Sequence, residues 1–246
     1  MGRKTNPNIL RIGNILHNWD AKWFSDNPKD FRDNLLQDVE IRNYLKKQMR
    51  AASISKVEIT RQAREISLTV HTSRPAMVIG RGGSGIEKIQ KDLQKFLGKD
   101  IRVRINVQEI RNPETDATAV ATQVVDQIER RMPYRRVLKQ AVQRSMQAGA
   151  RGIRIAVAGR LNGADIARRE WLADGNVPLH TFRADISYTT KTAFTTYGTI
   201  GVKVWINRGE YELEDTEKIG EAVGSPKTQA AAPRRVRPSL AEKVQK

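Results

Sequence analysis

Apolar residues recur along this chain first at helical spacing and then at strand spacing, and the sequence of periods lays out the elements before any other property is considered. After Asn27-Pro28, a pair suited to an N-cap and a first-turn proline, Phe31, Leu35, Leu36, Val39, Tyr44, Leu45 and Met49 fall at mostly helical intervals through Arg50. This segment is one broken helix or two. Val57 and Ile59, then Ile66, Leu68 and Val70, alternate with polar residues and predict two strands joined by a turn at residues 62–64. A short apolar segment, Ala76 to Ile79, follows Pro75. A further helix then carries Ile86, Ile89, Leu93, Phe96 and Leu97 as its apolar stripe, with Ser84 and Glu87 at capping-box spacing and Gly98 placed to stop it. Ile101, Val103, Ile105 and Val107 alternate with Arg102, Arg104, Asn106 and Gln108, a strand apolar on one face and basic on the other. The order is helix, strand, strand, helix, helix, strand.

Beyond Asn112-Pro113, which opens the next helix (Val120, Val124, Val125, Ile128), Pro133 ends one helix and starts another that runs to about Gly149. Strand alternation then returns at Ile153 to Val157, Phe182 to Tyr188 and Ile200 to Ile206. The fold class is α+β in two units. The expected organisation is an N-terminal basic and aromatic arm (1–25), a first domain with its preceding helix (26–111), a second two-layer α+β domain (112–209) and a disordered tail (210–246), whose Ala, Pro, Lys and Arg composition offers nothing to bury.

Charge changes the picture. The 246 residues hold 44 Lys and Arg against 27 Asp and Glu, a net +17, which points to a polyanionic partner whose phosphates relieve the self-repulsion. From Arg208 onward eight basic residues meet seven acidic ones, so nearly all of the excess lies in the folded part. The absence of cysteine excludes disulfides and thiolate zinc sites, and His17, His71 and His180 are scattered without metal-ligand spacing. Scattered carboxylates such as Glu87, Asp165 and Asp185 form no acid and base pair. Neither an enzyme nor a cofactor is expected. No apolar run approaches the roughly 20 residues that span a bilayer, so a soluble, cytoplasmic protein without a membrane or small-molecule partner is expected.

Two motifs compete for the cluster Gly80-Arg81-Gly82-Gly83-Ser84-Gly85. It satisfies the dinucleotide fingerprint GxGxxG, with Asp100 near where a ribose-binding acid would be sought. That fingerprint must leave a parallel strand directly, yet Pro75 and the segment 76–79 intervene, and Asp100 precedes its strand instead of ending it. The same residues satisfy an apolar residue followed by GxxG (Ile79, Gly80, Arg81, Gly82, Gly83) between two helices, which is the signature of a KH domain in its prokaryotic, type II element order. There the glycines let a turn lie against a nucleic-acid backbone and Arg81 adds a phosphate contact.

Between Arg130 and Arg144 six basic residues occur and no acid, and Arg135, Arg136 and Lys139 share one face of the helix after Pro133. Arg160, Arg168 and Arg169 flank an expected hairpin with Trp171, mixing guanidinium groups with an aromatic as RNA-facing surfaces do.

The strings Gly159-Arg160-Leu161-Asn162-Gly163-Ala164-Asp165, Pro178-Leu179-His180-Thr181-Phe182-Arg183 and Thr196-Tyr197-Gly198-Thr199-Ile200-Gly201, with Met1-Gly2-Arg3-Lys4, Asn6-Pro7 and Arg11-Ile12-Gly13, carry a specific likeness. The chain resembles the family of bacterial-type small ribosomal subunit protein three from Met1 to about Gly209. Ile9 departs from it, where a small residue is expected. The resemblance implies a constituent of the small-subunit head that binds ribosomal RNA, touches neighbouring head proteins and helps line the entrance for mRNA, in a bacterial or plastid ribosome. It implies rRNA contacts at Arg3, Lys4, Asn6, Arg11, Arg160, Arg168, Arg169, Trp171 and Arg183, and an mRNA-entrance role for Arg135, Arg136 and Lys139 in strand separation. A free KH-domain regulator of RNA is the alternative.

Overall fold

Two runs of alternating apolar residues build two four-stranded sheets, each covered by helices on one face. A computed structural model describes residues 4–12, 19–62, 65–97 and 101–210. Arg3, His17, Gly98, Asp100 and the tail from residue 211 therefore lie outside the described residues.

The first sheet has the order β1 (Ala21–Lys22), β2 (Ile54–Arg61), β3 (Glu65–Thr72), β4 (Arg102–Glu109). Strands β2 and β3 form an antiparallel hairpin, and β4 returns parallel to β3, pairing Leu68 with Ile105. That return needs a crossover, supplied by α2 (Pro75–Ile79) and α3 (Ser84–Leu97). Inward positions Val57, Ile59, Ile66, Leu68, Val70 and Val103 meet Ile41 and Leu45 of α1 (Pro28–Gln48) and Ile89, Leu93 and Leu97 of α3. The helix, strand, strand, helix, helix, strand order is thus present.

The second sheet, β6 (Arg168–Gly175), β5 (Gly152–Gly159), β8 (Gly198–Glu210), β7 (Ala184–Thr195), is antiparallel throughout. Helices α4 (Ala117–Glu129) and α5 (Tyr134–Gln147) cover its inner face, where Ile153, Ile155, Val157, Val202, Val204 and Ile206 are fully buried. Strand β6, which pairs antiparallel with β5 as a hairpin carrying Trp171, shows no apolar alternation, because only Leu172 on it packs against the core.

Four expectations change. The α1 segment is one continuous helix, and Phe31, Leu35, Leu36 and Val39 are exposed on it. What its N-terminal half buries is Asp38, because a buried arginine from β2 needs a partner there. Ser84 already has helical angles (φ −58°, ψ −29°), so it lies inside α3 and does not cap it. Pro113 opens only a 3-10 turn; Asp116 is the cap of α4 and accepts from the Ala119 amide at 3.1 Å. Glu210, placed in the tail by composition, closes β8 opposite Ala184.

Arg61, on the last position of β2, donates to Asp38 Oδ1 from Nε (2.8 Å) and Nη2 (2.6 Å), and to the side chains of Asn34 and Gln37 from Nη1. Trp23 Nε1 donates to the other carboxylate oxygen at 2.8 Å. This cluster ties the arm and α1 to the sheet, and both charged side chains are nearly sealed from solvent. Removing one partner of a buried pair strands the other, at a cost of about 3–5 kcal/mol. Asp38→Ala is therefore expected to lower the unfolding free energy by about 3 kcal/mol, read from the midpoint of urea denaturation; a loss below about 1 kcal/mol would show that the cluster reorganises without its carboxylate.

Candidate nucleic-acid interface

The glycine cluster resolves into two pairs with different reasons for being glycine. Gly80 (φ +71°) ends α2, and a Cβ there would sit 2.8 Å from the Gly85 amide nitrogen; a Cβ on Gly85 would come within 2.5 Å of the Val78 carbonyl oxygen. These two permit α3 to start directly against the end of α2. Gly82 (φ +59°) and Gly83 (φ +85°) are in left-handed conformations, yet nothing lies within 4 Å of their would-be side chains. The turn therefore presents bare backbone outward. Ile79 is 39% exposed beside it, and Arg81 is exposed with no ion-pair partner among the described residues.

On α5, Tyr134, Val137, Leu138, Val142 and Ser145 are buried and Arg135, Arg136 and Lys139 are exposed, as the helical period demands. The three cations are not equivalent. Glu170, on the neighbouring strand β6, accepts from the Tyr134 hydroxyl at 2.7 Å and pairs with Arg135 at 3.3 Å and Arg168 at 3.4 Å. The tyrosine hydrogen bond, with Arg135 adding to it, holds the Glu170 carboxyl below the usual carboxylate range, and the same pairing keeps Arg135 charged. Arg136 and Lys139 have no such carboxylate among the described residues. All three line an open groove of about 690 Å³ between α5 and β6, with Glu170, Trp171 and Leu172 on its far side. The sequence run 130–144 contains no acid; the acid that pairs with it comes from 35 residues away, through the sheet.

The remaining candidates separate by burial. Arg11 is fully buried: Nε donates to the Ala184 carbonyl at 2.8 Å, Nη1 to Pro7 and Nη2 to Thr181 and Leu179. Burial lowers its pKa from the ordinary arginine range. Its donors are engaged by carbonyls that fasten the arm to β7 and the loop before it, so what the structure shows of Arg11 is a holding role within the arm. Asn6 shapes the same arm, accepting from the Asn8 amide at 2.9 Å, and Lys4 is exposed. Arg160 braces its own loop, bonding the Ala164 and Tyr197 carbonyls and Asp165. Arg183 pairs with Glu210 at 2.9 Å. Arg169 is exposed and unpaired among the described residues, and Trp171 is 58% exposed with its ring 4.8 Å from the Arg154 guanidinium. His180 is exposed in the loop before β7. Among the described residues no group of carboxylates and histidines could hold a metal ion, and no helix is long and apolar enough to cross a membrane.

Residues 40–115 match the family described as KH domain, and residues 124–206 match that described as Ribosomal protein S3, C-terminal domain. The chain is 51% identical over 210 residues to the small ribosomal subunit protein uS3 of Ligilactobacillus salivarius, covering 85% of this chain and 94% of that protein. It is 53% identical over 220 residues to uS3 of Desulforudis audaxviator (89% and 99%) and 50% identical over 210 residues to uS3 of Lactobacillus helveticus (85% and 92%).

The two glycine pairs should respond differently to substitution. Gly85→Ala forces a methyl group against the Val78 carbonyl and is expected to cost about 1–3 kcal/mol in thermal or urea unfolding. A Gly82→Asp chain should fold normally, because aspartate tolerates the left-handed region and the space is open.

Proposed function

The chain belongs to the uS3 family of bacterial small ribosomal subunit proteins, a structural and non-enzymatic family with an RNA-binding KH domain, and from that premise we propose how its surfaces divide the work. It serves as a constituent of the small subunit, in the bacterial cytoplasm, among ribosomal RNA and other ribosomal proteins. The KH turn at Ile79 to Gly83 lies against an RNA backbone, with Arg81 at a phosphate. Lys4, Arg168, Arg169, Trp171 and Arg183 contribute to the rRNA-facing surface; Asn6 and Arg160 contribute by shaping the arm and loop that carry it. The two separate cores support a division into a KH unit at 26–111 and a second unit at 112–209. The arm at 1–25 then acts as a strap, since its start is fixed to β7 through Arg11 and its end pairs with β2 through Ala21 and Lys22.

The α5 face lines the entrance through which mRNA reaches the subunit. The observation that carries this reading is the open groove flanked by Arg136 and Lys139, two exposed cations with no carboxylate partner among the described residues, on a helix whose other face is buried. Fixed cations at such an entrance hold separated phosphates while the advancing particle pulls a duplex apart, so no nucleotide hydrolysis is required. Arg135 is already paired with Glu170 and contributes mainly by positioning that wall of the groove. A regulator free of the ribosome would be found largely off the subunit in sedimentation; uS3 membership favours quantitative co-migration.

Two outcomes are expected. Replacing Arg81 and Gly82 with Asp should weaken RNA binding of the folded chain at constant melting temperature, because carboxylates face a phosphate at an open turn; unchanged affinity would remove the turn from the RNA interface. Replacing Arg135, Arg136 and Lys139 with Ala should leave folding and subunit incorporation intact and lower the log-log salt slope for single-stranded RNA by about 1.4, the share of Arg136 and Lys139, and by no more than about 2. Translation through a stable hairpin, relative to an unpaired control of equal length, should slow in this variant. An equal ratio in variant and parent would leave α5 as an ordinary solvated or rRNA-anchored face.

A further inference from the structure

The second sheet has an outer face, away from α4 and α5, whose side chains follow from strand register. Arg154 of β5 stands directly opposite Trp205 of β8, and Trp205 opposite Tyr188 of β7; Trp171 of β6 lies on the diagonal from Arg154. The groups touch in that order across all four strands. The Arg154 guanidinium is 4.8 Å from the Trp171 ring and 5.7 Å from the Trp205 ring, and the Trp205 and Tyr188 rings are 5.2 Å apart. The row is therefore aromatic, cation, aromatic, aromatic, running from one edge of the sheet to the other.

Three further features mark this row as more than cross-strand packing. The outward positions of the four strands contain Arg154, Arg169 and Lys203, while Glu210, outward at the end of β8 opposite Ala184, is taken by Arg183, so the face is positive and those three cations have no ion-pair partner among the described residues. Arg154 Nε is buried between the rings without a hydrogen-bond acceptor. Trp171, at the open end, is 58% exposed, and Phe194, outward on β7, is 69% exposed. The Arg154 guanidinium is matched by rings on either side of it instead of by a carboxylate.

We propose that this face is a stacking platform for an unpaired RNA segment, in which bases lie on Trp171 and the neighbouring rings and the phosphates run over Arg169 and Lys203. The inference deepens the reading of the chain as an RNA-binding ribosomal constituent and rests on it. Aromatic rings on an open four-stranded sheet stack two or three bases without needing to read their edges, and guanidinium planes extend the stack. Adjacent strands about 4.8 Å apart make the row roughly 15 Å long, which suits a segment of that size. A duplex does not fit, because its bases are already stacked on each other.

The test compares an eight-nucleotide oligoadenylate with the same ribose-phosphate chain carrying abasic sites at its central positions, titrated by fluorescence anisotropy against the full-length protein. Stacking is lost in the abasic probe while the phosphates remain. The parent should prefer the base-bearing probe, and Trp171→Leu, which keeps an apolar cover over Arg154 without a ring, should reduce that preference about tenfold. Trp171→Phe should restore most of it. A parent that binds both probes equally, or a Trp171→Leu chain with the parent's preference, overturns the platform while leaving RNA binding in place. A parent that binds neither probe overturns the platform and the RNA-binding reading together. In assembled subunits a photo-crosslinker at position 171 should label RNA; labelling of protein alone would make this face a protein interface and overturn the proposal.

Discussion

Where the carboxylates go decides what this molecule can do. A chain with an excess of 17 positive charges cannot pair every cation internally, so each acid that is committed to one arginine releases others to the surface. Asp38 is buried against Arg61, Glu170 holds Tyr134, Arg135 and Arg168 together, Asp116 caps α4 and binds Arg208, and Glu129 receives Arg50 from the turn after α1. Each of these acids joins elements distant in sequence. Among the cations without an ion pair in the described residues, Arg81, Arg136, Lys139, Arg169 and Lys203 are exposed and presented from ordered elements.

Rigidity matters because a phosphate contact in water is weak and a long side chain resists being ordered. The KH turn reaches outward from the start of α3, fixed to α2 by the close approach of Gly80 and Gly85. The cations of α5 stand on a helix whose opposite face is fully buried. Arg154 is held between indole rings. The three surfaces proposed for one class of partner thus rest on three different devices: a tight turn, an amphipathic helix and a sheet face. The arm links the units that carry them, with buried Arg11 at one end and Trp23, bonded to Asp38, at the other.

Much of this was legible in the residues. Periods of two and of about 3.6 placed the strands and helices of the first unit in order, and the glycine cluster between two helices distinguished a KH turn from a dinucleotide loop, because its context lacked the strand that a dinucleotide fingerprint requires. The exposed cations of α5 followed from helical geometry alone. The family likeness rested on long strings of the second unit, and the comparisons with uS3 proteins bear it out.

Sequence alone determined what is local or periodic: element order, which helix face is basic, the open turn, and the charge excess that calls for a polyanion. Only tertiary structure decided what depends on partners distant along the chain. Leu35 and Leu36 fall at helical spacing in α1, but the sheet beneath that half of the helix offers Arg61, so Asp38 is buried and the leucines are not. Arg11 was one more basic residue in a basic arm until folding surrounded it with carbonyls from residues 179–184. Glu170 distinguishes Arg135 from Arg136 only because β6 runs beside α5. The row from Trp171 to Tyr188 exists only once pairing sets four strands in register, since a side chain's neighbours across a sheet are fixed by strand order and not by distance along the chain.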